Sequence, residues 1–73
     1  MHGLTERQRA VLHLADRGMD DPTIAAELRV GISTVLSHWH AIYDVLRAEK
    51  GDHRRARALR TWRRLGRVAA DEG

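Results

Sequence analysis

His38-Trp39-His40 is the one place where two histidines stand within a helical turn of each other, so it is the first candidate for metal chemistry. Histidines two apart project from different sides of a helix, and no carboxylate lies at ligand spacing with both, so the pair does not read as a metal site. His2, His13 and His53 are scattered and read as surface residues. The second candidate chemistry is cationic. Arg57, Arg60, Arg64 and Arg67 recur at spacings of three, four and three, which lines them along one side of a helix. Such a stripe either holds phosphate, RNA or an acidic protein, or keeps an amphipathic helix soluble. No serine-histidine-acid arrangement and no glycine-rich phosphate loop is present, so the chain does not read as an enzyme and calls for no cofactor.

Charge is distributed unevenly. Residues 1–50 carry six basic and seven acidic side chains, a balance of −1, whereas residues 51–73 carry seven and three, a balance of +4. That field favours anionic partners, nucleic acid first among them. With no cysteine among 73 residues, neither a disulfide framework nor a thiolate metal site can reinforce the fold. No apolar run is long enough for a membrane span or a signal peptide, and the expected location is cytoplasmic, with no membrane partner. The length suits a single domain, residues 1–73, with one modest core that a partner subunit would help to stabilise.

These residues need elements to hold them, and the elements read as all-α. Thr5-Glu6-Arg7-Gln8 has the form of a capping box, so a first helix is expected over about 6–17, with Val11, Leu12, Leu14 and Ala15 inward and Gly18 as its left-handed stop. Asp20-Asp21-Pro22 starts a second helix over about 21–28; either aspartate could be its cap. Ile24, Ala25 and Leu28 form one apolar stripe, and Val35, Trp39, Ile42 and Leu46 form another at spacings of four, three and four. Arg29-Val30-Gly31 leaves room only for a tight corner between them, with Gly31 tolerating the unusual angles and Val30 plugging the gap. That is the grammar of a helix-turn-helix. The third helix is expected over about 32–48, because no breaker intervenes before Gly51. Asp52 would then cap a fourth over about 53–66, followed by a frayed tail, 67–73. Ala58, Leu59, Trp62, Leu65 and Ala69 make the apolar stripe of that last helix.

From Leu4 to Leu46 the sequence resembles the LuxR/GerE-type helix-turn-helix family of bacterial transcription regulators. The resemblance is carried by Leu4-Thr-Glu-Arg-Gln-Arg-Ala-Val-Leu12, Gly18, Ile24-Ala25, Leu28, Thr34-Val35, His38 and Ile42-Tyr43. It implies a four-helix domain, sometimes free-standing at about this size, whose third helix enters the major groove of double-stranded DNA and whose fourth mediates dimerisation. By that analogy Ile32, Ser33, Leu36, Ser37 and His40 face DNA, and Thr34 and His38 contact or support the backbone-binding edge. Arg54 or Arg55, with Arg7, Arg9 and Arg29, are candidates for clamping the flanking phosphates. The chain departs from the family pattern where it has Ser33 and Leu36 in place of basic residues, Gly31 in place of a serine cap, and extra residues within Arg47–Arg54. It has no lysine or arginine from Ile32 to Leu46.

Two readings follow. The first is a sequence-specific transcriptional regulator acting as a homodimer through Leu59, Trp62 and Leu65, because so wide an apolar face on a last helix calls for a second subunit. The second is an adaptor that has given up groove reading and binds a protein partner, a regulator or polymerase subunit, through Leu36 and Trp39.

Overall fold

The computed structural model of the chain describes residues 3–66, and the expected tail at 67–73, with Arg67 and Ala69, lies outside the described residues, as does His2. Four helices and no strand occur among the described residues: α1 (Glu6–Asp16), α2 (Asp21–Leu28), α3 (Ile32–Leu46) and α4 (Arg54–Arg64). Helix α3 packs against each of the other three, and α1 also packs against α2.

The starts of α1 and α2 follow the local chemistry. The Gln8 backbone N–H donates to Thr5 Oγ1 at 3.1 Å, and the Thr5 N–H donates to Gln8 Oε1 at 2.9 Å, closing the capping box. At α2 the cap is Asp20, whose Oδ1 accepts from the Thr23 N–H at 3.0 Å. Asp21 therefore begins the helix proper, and its carboxylate is left to reach elsewhere. After α1, Gly18 takes φ +93°, where any side chain would be strained, and the Gly18 and Met19 amides close on Ala15 and Leu14.

The corner between α2 and α3 differs from the expected one. Gly31 lies in ordinary extended backbone, φ −80°, as the N-cap of α3. The left-handed residue is Arg29, φ 61°, because the turn closes by the Val30 amide donating to Ala25 O at 3.0 Å, which puts the reversal at the first residue after α2. Val30 is half-buried against the core, as expected.

A second such stop shortens α3. Arg47 is left-handed at φ 56° and the Ala48 amide donates to Tyr43 O at 2.9 Å, so the helix ends at Leu46 rather than near residue 48 and Ala48 turns into the core. The segment before α4 is tied by arginine rather than by Asp52. Arg57 Nη2 donates to Glu49 O at 2.6 Å, Arg57 Nη1 donates to Asp52 O, and Arg54 Nε donates to Ala48 O at 2.9 Å. Asp52 does not cap α4; the N-cap is His53, left-handed at φ 61° and without a side-chain cap bond.

The core joins Leu4, Val11 and Leu12 to Ile24 and Ala25, then to Val35, Trp39, Ile42 and Leu46, then to Ala48, Ala58 and Trp62. Both tryptophans are essentially sealed from water. In a chain this small, two buried indoles supply a large part of the apolar area removed from solvent.

Candidate nucleic-acid interface

Helix α3 divides cleanly into two sides. Val35, Trp39, Ile42 and Leu46 are buried, while Ile32, Ser33, Thr34, Leu36, Ser37, His40 and Asp44 are exposed, and His38 is half-buried. The residues that the sequence assigned to a reading face, Ile32, Ser33, Leu36, Ser37 and His40, thus stand together on the solvent side of one rod. His40 sets its ring edge-on to Tyr43, with centroids 6.3 Å apart, and His38 lies on another side of the helix. The start of α3 is chemically distinct from those of α1 and α2, since Gly31 offers no side chain to the first-turn amides.

The inner side is keyed to its neighbours by one carboxylate. Asp21 accepts from the Trp39 indole Nε1 at 3.2 Å and from Arg55 Nη1 and Nη2 at 3.0 and 3.1 Å. The Arg55 guanidinium also lies over the Trp39 ring, 4.3 Å from its centroid. One side chain from α2 thereby joins α3 to α4. Arg54 sits 4.2 Å over the Tyr43 ring while donating to Ala48 O. Arg54 and Arg55, expected as phosphate clamps, are engaged inside the subunit as fasteners of α4 on α3. Sequence reading missed Asp21 as a junction because positions 21, 39 and 55 have no local relation.

Other arginines present themselves differently. Arg29 and Arg47 are exposed at the two left-handed stops that bracket α3, and Arg7 reaches towards Leu28 O at 3.4 Å, beside the first of them. Arg9 donates to Leu4 O at 2.9 Å. Within the arginine stripe, Arg60 and Arg64 are exposed, whereas Arg57 is half-buried on the carbonyls of the preceding segment. Arg63, outside the stripe, pairs with Asp16 through Nε at 2.7 Å and ties α4 to the end of α1.

The expected dimer face needs correction. Trp62 is 0% exposed and belongs to the subunit's own core, where the His13 ring meets it edge-on with centroids 4.7 Å apart. Its Nε1 is buried with no hydrogen-bond partner among the described residues. Leu59 is half-buried against the same core, so of the three residues only Leu65, 51% exposed, stands in solvent. Ala58 and Trp62 of the α4 stripe are spent on the subunit's own core.

The Asp20 carboxylate has a perturbed titration. Hydrogen bonds from Thr23, its side chain first and its backbone N–H second, hold Asp20 below the usual carboxylate value, because they favour the ionised acceptor. Among the described residues no group of three histidine, aspartate or glutamate side chains stands in metal-holding geometry, and no helix is long and apolar enough to cross a membrane.

Comparison with curated proteins and with solved structures finds no match to this chain. The model of the bacterial regulatory proteins of the luxR family matches residues 2–51, which contain α1, α2 and α3 and more than half of the 73 residues. A helix-turn-helix corner, a solvent-facing side on the helix after it and this match together lead to one conclusion: the chain belongs to the luxR family of bacterial regulatory proteins, whose members are DNA-binding regulators.

Proposed function

We propose that the chain is a sequence-selective regulator of transcription that lays α3 in the major groove of double-stranded DNA and works as a homodimer paired through α4. The observation that carries this reading is the solvent exposure of Ile32, Ser33, Leu36, Ser37 and His40 along one side of α3 while the opposite side is sealed into the core. Ser33, Ser37 and His40 supply hydrogen-bonding groups for base edges, with Thr34 and His38 towards the backbone. Phosphate contacts fall to Arg29 and Arg47 at the ends of the helix, with Arg7 beside Arg29. In the homodimer Leu65 is the exposed apolar contact, and the two copies of α3 lie about 34 Å apart, one turn of duplex.

Selection of bound sequences from a random duplex pool, followed by titration at several salt concentrations, tests the proposal. Enrichment of a two-fold related site is the expected result, and Ser33→Ala with Ser37→Ala relaxes the preference. Salt-sensitive binding without enrichment would replace the proposal with nonspecific attachment through the arginines of α4. A second reading, an adaptor that docks on a regulator or polymerase subunit, is favoured by one observation: α3 carries no lysine or arginine. Absence of duplex binding at moderate salt would select it.

A further inference from the structure

The outward side of α3 carries two side chains whose exposure the fold does not explain. Ile32 is 47% and Leu36 42% exposed, and neither joins the core or the apolar residues packed around it. They lie four residues apart, one above the other on the helix, separated by about 6 Å along its axis. Single exposed leucines are ordinary. Here, however, two branched apolar side chains form a strip with Ser33 and Ser37 beside it, and exposed Arg29 and Arg47 stand at the two ends of the helix. A strip of two side chains is far too small to hold a protein partner, which needs about 800 Å² on each side. The strip itself is uncharged, with the exposed carboxylate of Asp44 further along α3, and an uncharged strip between cationic helix ends matches a groove floor of bases between two rails of phosphate.

The floor of the major groove offers one apolar group, the thymine C5-methyl; the other positions present hydrogen-bond donors and acceptors. An isoleucine or leucine pressed against cytosine N4 or guanine O6 would strip water from a polar atom and return no partner. Resting on the DNA-binding reading above, we infer that Ile32 and Leu36 read thymine methyl groups, so that the duplex this chain selects has thymines opposite this strip. Preference among sites is then set by methyl contact, with Ser33 and Ser37 orienting the helix by hydrogen bonds to neighbouring positions.

Deoxyuridine differs from thymidine only by that methyl group and keeps every hydrogen bond, which makes it the probe. After selection from the random pool, the enriched duplex is resynthesised with deoxyuridine at each thymine in turn, and affinity is measured by fluorescence anisotropy with the full chain. The expected result is a loss of about 3- to 10-fold at one or two positions, the scale of one buried methyl. Leu36→Ala is expected to keep its helical circular dichroism, since Leu36 lies outside the core, and to bind the thymine and uracil duplexes alike at its position. An enriched site bound equally well with thymine or uracil throughout would overturn the inference and leave the DNA reading standing. So would a folded Leu36→Ala chain that still discriminates at every position. Failure to enrich any sequence would overturn both.

Discussion

Replacing Asp21 by alanine removes the carboxylate on which Trp39 of α3 and Arg55 of α4 converge. Two losses follow. The Trp39 indole N–H, on a residue 1% exposed, forfeits its acceptor at 3.2 Å, and a buried donor left unpaired costs about 1–3 kcal/mol. Arg55 forfeits both of its bonds to the carboxylate, but its side chain is 39% exposed against 17% for Asp21, so solvent screening reduces that part to about 0.5 kcal/mol. The sum is about 2 kcal/mol, a large share of the roughly 4–11 kcal/mol expected for a chain of this length. A fall in Tm of about 8–16 °C follows. Urea unfolding followed by tryptophan fluorescence measures it, with Trp39 and Trp62 as internal reporters. Asp21→Asn, which keeps one carbonyl acceptor, is expected to lose less, and Arg55→Ala is expected to be non-additive with Asp21→Ala because the two share a bond. An Asp21→Ala chain within about 0.5 kcal/mol of the parent, the range of an ordinary surface change, would refute the claim that these three helices are keyed at this point.

Gly31→Asp separates folding from binding. The site is open, with only Ser33 Oγ at 4.0 Å from an added Cβ, so a carboxylate can cap α3 and stabilise it by about 0.3–1 kcal/mol; the same charge repels phosphate, so thermal unfolding rises while duplex affinity falls at low salt. If affinity is unchanged, the start of α3 does not face DNA. On α4, Trp62→Ala is expected to cost about 3–5 kcal/mol and Leu65→Ala less than about 0.5 kcal/mol, as read by denaturant midpoints; similar values for both would contradict the division of that helix into core and surface. Leu65→Asp is the probe of the proposed pairing, since Leu65 lies outside the core, and sedimentation is expected to find a dimer for the parent and a monomer for the variant. Asp20 gives a pH dependence. Because its folded value is lowered, its contribution is present above the unfolded carboxylate value and is lost as pH falls through the folded one. Asp20→Asn, which still caps, is expected to flatten the acid limb of the stability curve, and an unaltered limb would show that the cap does not titrate there.

The helices were legible in the sequence wherever the determinants are local. Thr5 and Gln8 close their own capping box, Gly18 stops α1 by its backbone freedom, and the four-three-four spacing from Val35 to Leu46 names the buried side of α3 without reference to any other helix. The outward side, from Ile32 to His40, was named as a reading face by the family resemblance, and its exposure agrees with the same period. What depended on three dimensions was the use of each long side chain. Whether Arg55 grips phosphate or Asp21 and whether Trp62 faces a partner or the interior are decided by which groups meet across the fold, whereas Arg29 rather than Gly31 turns the corner through a local bond from the Val30 N–H to Ala25 O. A helical period reports that a face is apolar or cationic. It does not report what stands opposite, and charge, stacking and burial take their energies from that opposite surface.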